Sequence, residues 1–336
     1  MELFKRSLKL HRYFYFLSLI TICVAQEGRS EEIIFPNFIS SMIREGKSQN
    51  KNDEELMKRQ HLYLSSNSKQ AAFFKSLYDG HISSMNHSDD FYRIPRIVHQ
   101  IWLGSSVPQK YHDWMSTWAN INGWEYKLWT DEDVRQMSLY NQDLYDRAEN
   151  YGEKADILRL EILEKHGGLY VDVDFECHKP HVFDHLNRCF DFYIGFEPLE
   201  HGFMSKFNSY NIFKVCNAIL ASRPHHPLIK DLIVNMKANY FAFKKKGTCE
   251  KTGPNYLTRT ICEYEENKPD SYKNLYLPCT FFYPFSEPEL REYFSQEGNS
   301  LEIMPETAAV HYWSQSWVPQ DERDYGPNRN YLFPQE

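Results

Sequence analysis

The 336-residue sequence predicts a layered α/β fold, on the strength of two observations. A strand–helix–strand rhythm runs from Arg93 to Thr130, where short apolar segments alternate with a helical one. A second unit, Lys154–Asp174, reads KADILRLEILEKHGGLYVDVD and combines a helix, a glycine stop and an apolar strand that ends in two acids. Alternation of this kind is typical of a sheet covered by helices.

The first unit supplies two predicted strands and two predicted helices. Pro95 favours an extended backbone before it, and the strand that follows ends at Gly104. Tyr111–Ala119 is predicted to be helical, and Trp124–Trp129 alternates well enough to form the second strand. A box-like cap that begins at Thr130 then indicates the start of another helix.

The second unit places two carboxylates together at the end of a strand. Apolar residues recur near helical spacing before a glycine pair that can end a helix, at Ala155, Leu158, Ile162 and Leu163. Gly167 and Gly168 are that pair, and Leu169–Val173 then reads as a strand. Asp172 and Asp174 are separated by one residue, so in an extended chain their side chains project from the same face.

This acidic pair predicts a metal site. Two neighbouring carboxylates repel each other unless a cation or a proton lies between them. Oxygen ligands suit Mg²⁺ or Mn²⁺, which also bind phosphate oxygens. A bare pair of this kind also occurs in solvated turns, but Asp172 and Asp174 end an apolar strand, where open α/β sheets bind ligands. The pattern therefore predicts a metal that bridges the protein and a phosphorylated ligand.

Three segments resemble one enzyme family. ADILR at Ala155–Arg159, GGLYVDVD at Gly167–Asp174 and IPRIVHQIWLG at Ile94–Gly104 resemble glycosyltransferase family 32, whose members contain a DXD sugar-binding region. The family includes fungal Golgi mannosyltransferases and animal α-1,4-galactosyltransferases, and its donor-binding core is similar to that of the large clostridial toxin glucosyltransferases. The resemblance covers Phe91–Val318. It implies a GT-A type fold, which is a Rossmann-like mixed sheet flanked by helices.

The resemblance also implies a reaction and roles for the donor site. A family member of this kind is a retaining hexosyltransferase that uses a UDP- or GDP-linked sugar with Mn²⁺ or Mg²⁺. Asp156 and Arg159 would hydrogen-bond the donor sugar, although at this spacing they could also form a surface ion pair. Trp102 would stack on the nucleotide base, or else be a core tryptophan, and Tyr170 would help to bind the donor.

The resemblance assigns further residues near the end of the chain. His311 would be the third metal ligand, although a histidine after three apolar residues is often a satisfied core residue. Ser316 is a weaker ligand candidate, and Trp317 would contact the diphosphate. Asn217 and the T-G-P turn at Thr252 resemble other family segments, and either could line the pocket or serve only local structure.

The sequence predicts four regions along the chain. Residues 1–25 combine basic residues with the apolar run Tyr13–Ala25, which indicates a cleaved signal peptide or a signal-anchor. Residues 26–90 are predicted to be a stem or helical cap, residues 91–320 the GT-A catalytic domain, and residues 321–336 a C-terminal extension. The protein is thus expected to be exported, to the Golgi lumen or membrane in a eukaryote, or to the envelope or medium in a bacterium.

The net charge limits the kinds of partner that the sequence predicts, and the cysteine content bears on the compartment. The formal net charge of −8 argues against a nucleic-acid partner. The six cysteines beyond the leader could form disulfides in an oxidising compartment or remain buried thiols. The expected partners are a nucleotide-sugar donor and a glycan or lipid-linked acceptor, with membrane association possible through the N-terminal segment. The alternatives are an exported effector that glycosylates a host protein and a nucleotide-sugar-binding protein without turnover.

Overall fold

The computed structural model describes residues 20–26, 29–45, 57–58, 60–64, 68–85, 91–203, 213–267, 272–295, 303–314 and 316. Its centre is a six-stranded mixed sheet in the order β4-β3-β5-β8-β7-β9. The described strands are β1 (Ile20–Gln26), β2 (Arg29–Phe35), β3 (Ile97–Ile101), β4 (Glu125–Trp129), β5 (Gly168–Val171), β6 (Phe175–Cys177), β7 (Phe192–Phe196), β8 (Val215–Ser222), β9 (Asn274–Leu277) and β10 (Ala309–His311).

Helices occupy most of the connections between these strands. The described α-helices are Phe38–Met42, Lys69–Ser83, His112–Ala119, Asp131–Arg135, Gln142–Arg147, Tyr151–His166, Pro180–Cys189, Glu200–Phe203, Pro227–Ala242, Thr248–Lys251, Pro254–Asn267 and Glu287–Ser295. Short 3₁₀ helices span Gln109–Tyr111 and Cys279–Phe281. The predicted strand and helix positions of both units agree with these bounds to within a few residues, and the predicted α/β class is confirmed.

The sheet combines parallel and antiparallel neighbours. β3 is parallel to both β4 and β5, and β7 is parallel to β9. β8 lies between β5 and β7 and is antiparallel to both. A separate pair, β6 with β10, brings residues 309–311 back beside the acidic residues that follow β5.

The glycine pair is required where the helix Tyr151–His166 turns into β5. Gly167 and Gly168 both have positive φ, at 62° and 97°. A Cβ atom at Gly168 would lie 2.7 Å from the carbonyl oxygen of Ile97, and one at Gly167 would lie 2.6 Å from Cδ of Pro224. Because neither the conformation nor the space suits a side chain, this turn fixes the start of the strand that leads to Asp172.

The segment before residue 91 contacts the sheet directly. Phe38 and Phe74 are buried, and their rings lie 5.9 Å and 5.2 Å from the ring of Phe196 in β7. Phe74 also lies 4.7 Å from Tyr276 in β9. The described part of the predicted stem therefore contributes to the hydrophobic core, while the division of the chain at residue 90 stays a prediction.

Other expectations for the ends of the chain fall largely outside the described residues. Residues 1–19 and 317–336 are among those not described, which covers most of the predicted leader and all of the C-terminal extension. Within the described residues no helix has both the length and the apolar character needed to cross a bilayer. The six cysteines from Cys177 to Cys279, all among the described residues, are thiols and form no disulfide.

Three buried histidines should make the folded protein less stable in acid. Burial lowers the pKa of His99, His185 and His226 to about 4 in each case. Histidines in an unfolded chain titrate near 6.5. Their contribution is therefore fully present above about pH 6.5 and is lost as the pH falls through about 4. Urea denaturation should show the free energy of unfolding falling by about 3 kcal/mol per histidine across that range.

His99 offers a specific test of this pH dependence. Its Nε2 lies 2.9 Å from the carbonyl oxygen of Gly167, and its Nδ1 accepts a hydrogen bond of 3.1 Å from Nε1 of Trp129. Protonation would therefore remove the bond from Trp129. His99→Gln should flatten the pH profile, whereas His225→Gln, at a side chain that is 73% exposed, should not. Equal slopes for wild type and His99→Gln would contradict this assignment.

Candidate active site

The site is built around the two acids that follow β5. The Asp172 amide donates to the carbonyl oxygen of Ala218, which prolongs the pairing of β5 with β8. The Asp172 side chain is 32% exposed and that of Asp174 only 8%. Val173 lies between them and packs in a small apolar cluster with Tyr111. The two acids thus stand at the end of a central strand, with an aromatic cluster beside them.

Asp172, Asp174 and His311 converge on one point. A ligand atom from each of the three side chains lies within 4.8 Å of the other two. Pairing of β6 with β10 places His311 opposite Phe175, so a residue distant in sequence reaches the acids. Nδ1 of His311 is buried and has no hydrogen-bond partner among the described residues. Two carboxylates and an imidazole form a donor set that suits Mn²⁺, so the residues present fit the predicted ion.

Asp174 is held rigidly in its ionised form. One carboxylate oxygen, Oδ1, lies 3.2 Å from Nε2 of His311. The other, Oδ2, accepts hydrogen bonds from the backbone amide and the hydroxyl of Ser314, at 2.8 Å and 2.7 Å. Burial opposes ionisation, but His311 and Ser314 outweigh it and hold the pKa of Asp174 at about 2. Asp174 is therefore a fixed negative charge at neutral pH.

Asp172 has a different environment. Removal from bulk water raises the pKa of Asp172, and the charge of Asp174 adds to that effect while Arg159 opposes it. Oδ1 of Asp172 accepts a hydrogen bond of 2.5 Å from the hydroxyl of Tyr170 and lies 3.6 Å from the Arg159 guanidinium. Two carboxylates that raise each other's energy in this way would be stabilised by a shared cation.

Asp156 and Arg159 form a buried pair next to Asp172. Their side chains are 7% and 5% exposed and lie 3.1 Å apart, so the surface ion pair considered above does not apply. Every nitrogen of the Arg159 guanidinium has a protein partner. Nε donates to the carbonyl oxygen of Ala155, one terminal nitrogen donates to the carbonyl oxygen of Asn217, and the other faces Asp156. Its guanidinium lies 4.5 Å from the centre of the Tyr170 ring. Arg159 therefore links the helix Tyr151–His166 to Asp172.

Both oxygens of Asp156 are also engaged. Oδ2 accepts from the Thr252 hydroxyl at 2.8 Å, and Oδ1 accepts from the Asn217 side-chain amide at 2.7 Å. Burial raises the pKa of Asp156 to about 6, against the opposing effects of Arg159 and Thr252. Oδ1 also faces the Arg159 guanidinium, whereas Oδ2 has Thr252 as its one described donor, so Oδ2 keeps a lone pair that can accept a hydrogen bond from a ligand hydroxyl.

Comparisons with known proteins agree with this geometry. A family model described as "Glycosyltransferase sugar-binding region containing DXD motif" matches residues 105–191. A second, "Alpha 1,4-glycosyltransferase conserved region", matches residues 221–331. An uncharacterized glycosyltransferase of Acanthamoeba polyphaga mimivirus is 30% identical over 203 residues, which cover 56% of this chain and 75% of the viral protein. The chain belongs to the glycosyltransferases with a DXD sugar-binding region.

Fungal relatives of this glycosyltransferase are matched over about half their length. Inositol phosphoceramide mannosyltransferase 1 of Schizosaccharomyces pombe is 29% identical over 51% of this chain and 52% of its own. The initiation-specific alpha-1,6-mannosyltransferase of Candida albicans is 25% identical over 55% of this chain and 58% of its own. The family that the sequence resembles is thus confirmed.

Two solved structures are similar to part of the glycosyltransferase. The PaToxG glycosyltransferase has a TM-score of 0.40 at 19% identity and covers 57% of this chain and 78% of its own. The catalytic domain of alpha-toxin from Clostridium novyi has a TM-score of 0.36 at 11% identity and covers 68% and 76%. These scores are too low to assign the fold, which rests on the sheet described above.

The other residues predicted for the site differ in their position relative to the two acids. Trp102 directly follows β3, is half-buried, and lies 5.3 Å from the Tyr111 ring in the cluster that also contains Val173. It therefore borders the acids without being a fully buried core residue. Trp317 lies outside the described residues, and Ser316 is exposed. Ser314, which the sequence reasoning did not single out, is the serine that contacts Asp174.

Proposed function

We propose that this glycosyltransferase is a metal-dependent, retaining enzyme that moves a hexose from a UDP- or GDP-linked sugar to a glycan, glycolipid or surface polysaccharide. The convergence of Asp172, Asp174 and His311 within 4.8 Å supports the proposal most strongly. When Mn²⁺ or Mg²⁺ is bound there, it supplies Lewis-acid neutralisation of the departing diphosphate.

The protein's own residues orient the donor. Asp156 keeps a lone pair on Oδ2 and would accept a hydrogen bond there from a hydroxyl of the donor sugar. Arg159 fixes Asp156 and also lies 3.6 Å from Asp172, so one guanidinium sets the spacing between the sugar site and the acids. Trp102 would stack on the base, and Tyr170 would hold Asp172 in place through its hydroxyl. Such positioning lowers the barrier by reducing the motion needed to reach the transition state.

The retaining outcome follows from the family resemblance. It implies an α-linked product from an α-configured donor, with the acceptor hydroxyl approaching the same face of the sugar that the diphosphate leaves. Trp317, outside the described residues, would donate to the departing oxygen. The names of the fungal relatives, among them a mannosyl phosphorylinositol ceramide synthase of Saccharomyces cerevisiae, support a lipid-linked acceptor and a location in the secretory pathway.

A donor panel tests the proposal. The full chain is incubated with UDP- and GDP-linked hexoses, with Mn²⁺ or with a chelator, and free nucleoside diphosphate is measured. Slow hydrolysis of one donor, dependent on Mn²⁺, is the expected result, because a water molecule can attack in place of the acceptor hydroxyl once the metal neutralises the charge of the departing diphosphate. Donor binding without release of diphosphate from any sugar would instead support a nucleotide-sugar-binding protein.

A further inference from the structure

The helix Pro227–Ala242 presents an unusual outer stripe. Lys230, Val234, Lys237 and Phe241 follow one another at spacings of four and three residues, so they share one side of the helix. Val234 and Phe241 are 44% and 46% exposed, so much of each apolar side chain is in contact with water. The opposite side is buried in the core and fixes this orientation, through Leu228, Ile229, Leu232, Ile233, Met236 and Tyr240.

Three consecutive lysines follow the C-terminal end of this helix. Lys244, Lys245 and Lys246 are all exposed, and no acidic side chain in the described ranges pairs with them. Lys237 differs because it forms an ion pair of 2.6 Å with Asp143. We name Val234, Phe241 and Lys244–Lys246 the basic face. Since charges are screened over about 10 Å at 0.1 M salt, this local positive charge acts even though the whole chain has a net charge of −8.

A short stretch of chain joins the basic face to the active site. The chain passes from Lys246 into the short helix Thr248–Lys251 and then to Thr252. The Thr252 hydroxyl donates to Asp156, and Thr248 lies within hydrogen-bonding distance of Glu153 on the same helix as Asp156. Thr252, which contacts Asp156, therefore lies only six positions after the last lysine of the basic face.

We propose that the basic face docks on an anionic lipid bilayer. Lysine ammonium groups would contact headgroup phosphates, while Phe241 and Val234 would enter the interfacial layer. A nucleic acid fits less well, because the apolar members of the face offer nothing to the phosphate backbone and the chain as a whole is acidic. The inference rests on the proposed function in one respect, since it places the acceptor of that reaction in the membrane.

Vesicle sedimentation tests the docking. The full chain should sediment with vesicles of phosphatidylcholine and phosphatidylserine more than with phosphatidylcholine alone, and added salt should reduce the difference. Combining Lys244→Glu, Lys245→Glu and Lys246→Glu should lower the preference for anionic vesicles at least about tenfold. Phe241→Ser should weaken binding to anionic vesicles without changing its salt dependence.

A charge-matched control keeps the test specific. Lys69→Glu, Lys110→Glu and Lys165→Glu together change the net charge equally at other exposed positions and should preserve vesicle binding. Equal loss in both triple variants, or no preference of the wild type for anionic vesicles, would overturn the docking proposal. Retained binding by the Lys244–Lys246 variant would do the same.

The outcome is separable from that of the proposed function. Hydrolysis of the donor in solution, without vesicles, should be the same for wild type and for the Lys244–Lys246 variant. Anionic vesicle binding by a wild type that hydrolyses no donor would overturn the proposed function and support the docking. Donor hydrolysis by a wild type that binds no vesicles would overturn the docking alone.

Discussion

Replacing Asp174 with asparagine should lower Mn²⁺-dependent release of nucleoside diphosphate about 100- to 1000-fold. The amide is close in size to the carboxylate and can still accept from the amide and hydroxyl of Ser314. The fold should therefore survive, while the fixed negative charge beside Asp172 and His311 disappears. The rate constant, the Mn²⁺ concentration for half-maximal activity and the urea midpoint measure these effects separately.

Asp113→Asn is the matched control for that experiment. Asp113 is an exposed acid in the first turn of the helix His112–Ala119, and it belongs to no contact described for the site. The substitution should leave activity and Mn²⁺ dependence unchanged. Full activity in Asp174→Asn with an unaltered requirement for Mn²⁺ would show that Asp174 takes no part in metal binding.

Arg159→Met should destabilise the protein and inactivate it. Methionine keeps much of the apolar stem that packs against Tyr170 but removes a charge that is 5% exposed. Breaking a buried pair leaves Asp156 without its cation, a change that costs about 3–5 kcal/mol in comparable cases. Urea denaturation should show that loss, and donor hydrolysis should fall because Asp156 and Asp172 lose their common partner.

A double variant separates structure from chemistry at this pair. Asp156→Asn combined with Arg159→Met removes the uncompensated carboxylate, so part of the lost stability should return. Hydrolysis should not return, because the sugar site still lacks its acid. Arg135→Met, at a side chain that is 66% exposed, should change neither quantity. If Arg159→Met unfolds at the same urea concentration as wild type, the pair contributes little to stability.

Local sequence was enough to predict the elements that lead to the site. Apolar spacing indicated the helix before Gly167, and the glycine pair indicated its end, because positive φ and a close approach to β3 leave no room for a side chain. The position of Asp172 and Asp174 after β5 followed from the same stretch. These patterns depend only on residues close together in the sequence, so they can be interpreted without knowledge of the rest of the fold.

Long-range pairing was beyond the reach of the sequence pattern. Nothing in the apolar runs showed that β8 would insert antiparallel between β5 and β7. In the same way, the pairing of β6 with β10 decides that Ser314 rather than Ser316 contacts Asp174. His311 was reached only through the family resemblance, because a histidine in an apolar strand has no local feature that marks it as a ligand.

The partners of Asp156 show the same limit. Thr252 was read as part of a turn or cap, and Asn217 as one of several residues near the pocket. The structure brings both to the oxygens of Asp156, from positions 96 and 61 residues away along the chain. A hydrogen bond between residues this far apart depends on the packing of several helices and strands, and composition or spacing does not encode it.

The most direct test of the central claim is the position of bound Mn²⁺. Crystals of the full chain soaked with Mn²⁺ and a nucleoside diphosphate would be examined by anomalous diffraction. We expect a single strong peak within coordinating distance of Asp172, Asp174 and His311, with the diphosphate beside it. A peak elsewhere, with the three side chains still in contact only with each other, would contradict it.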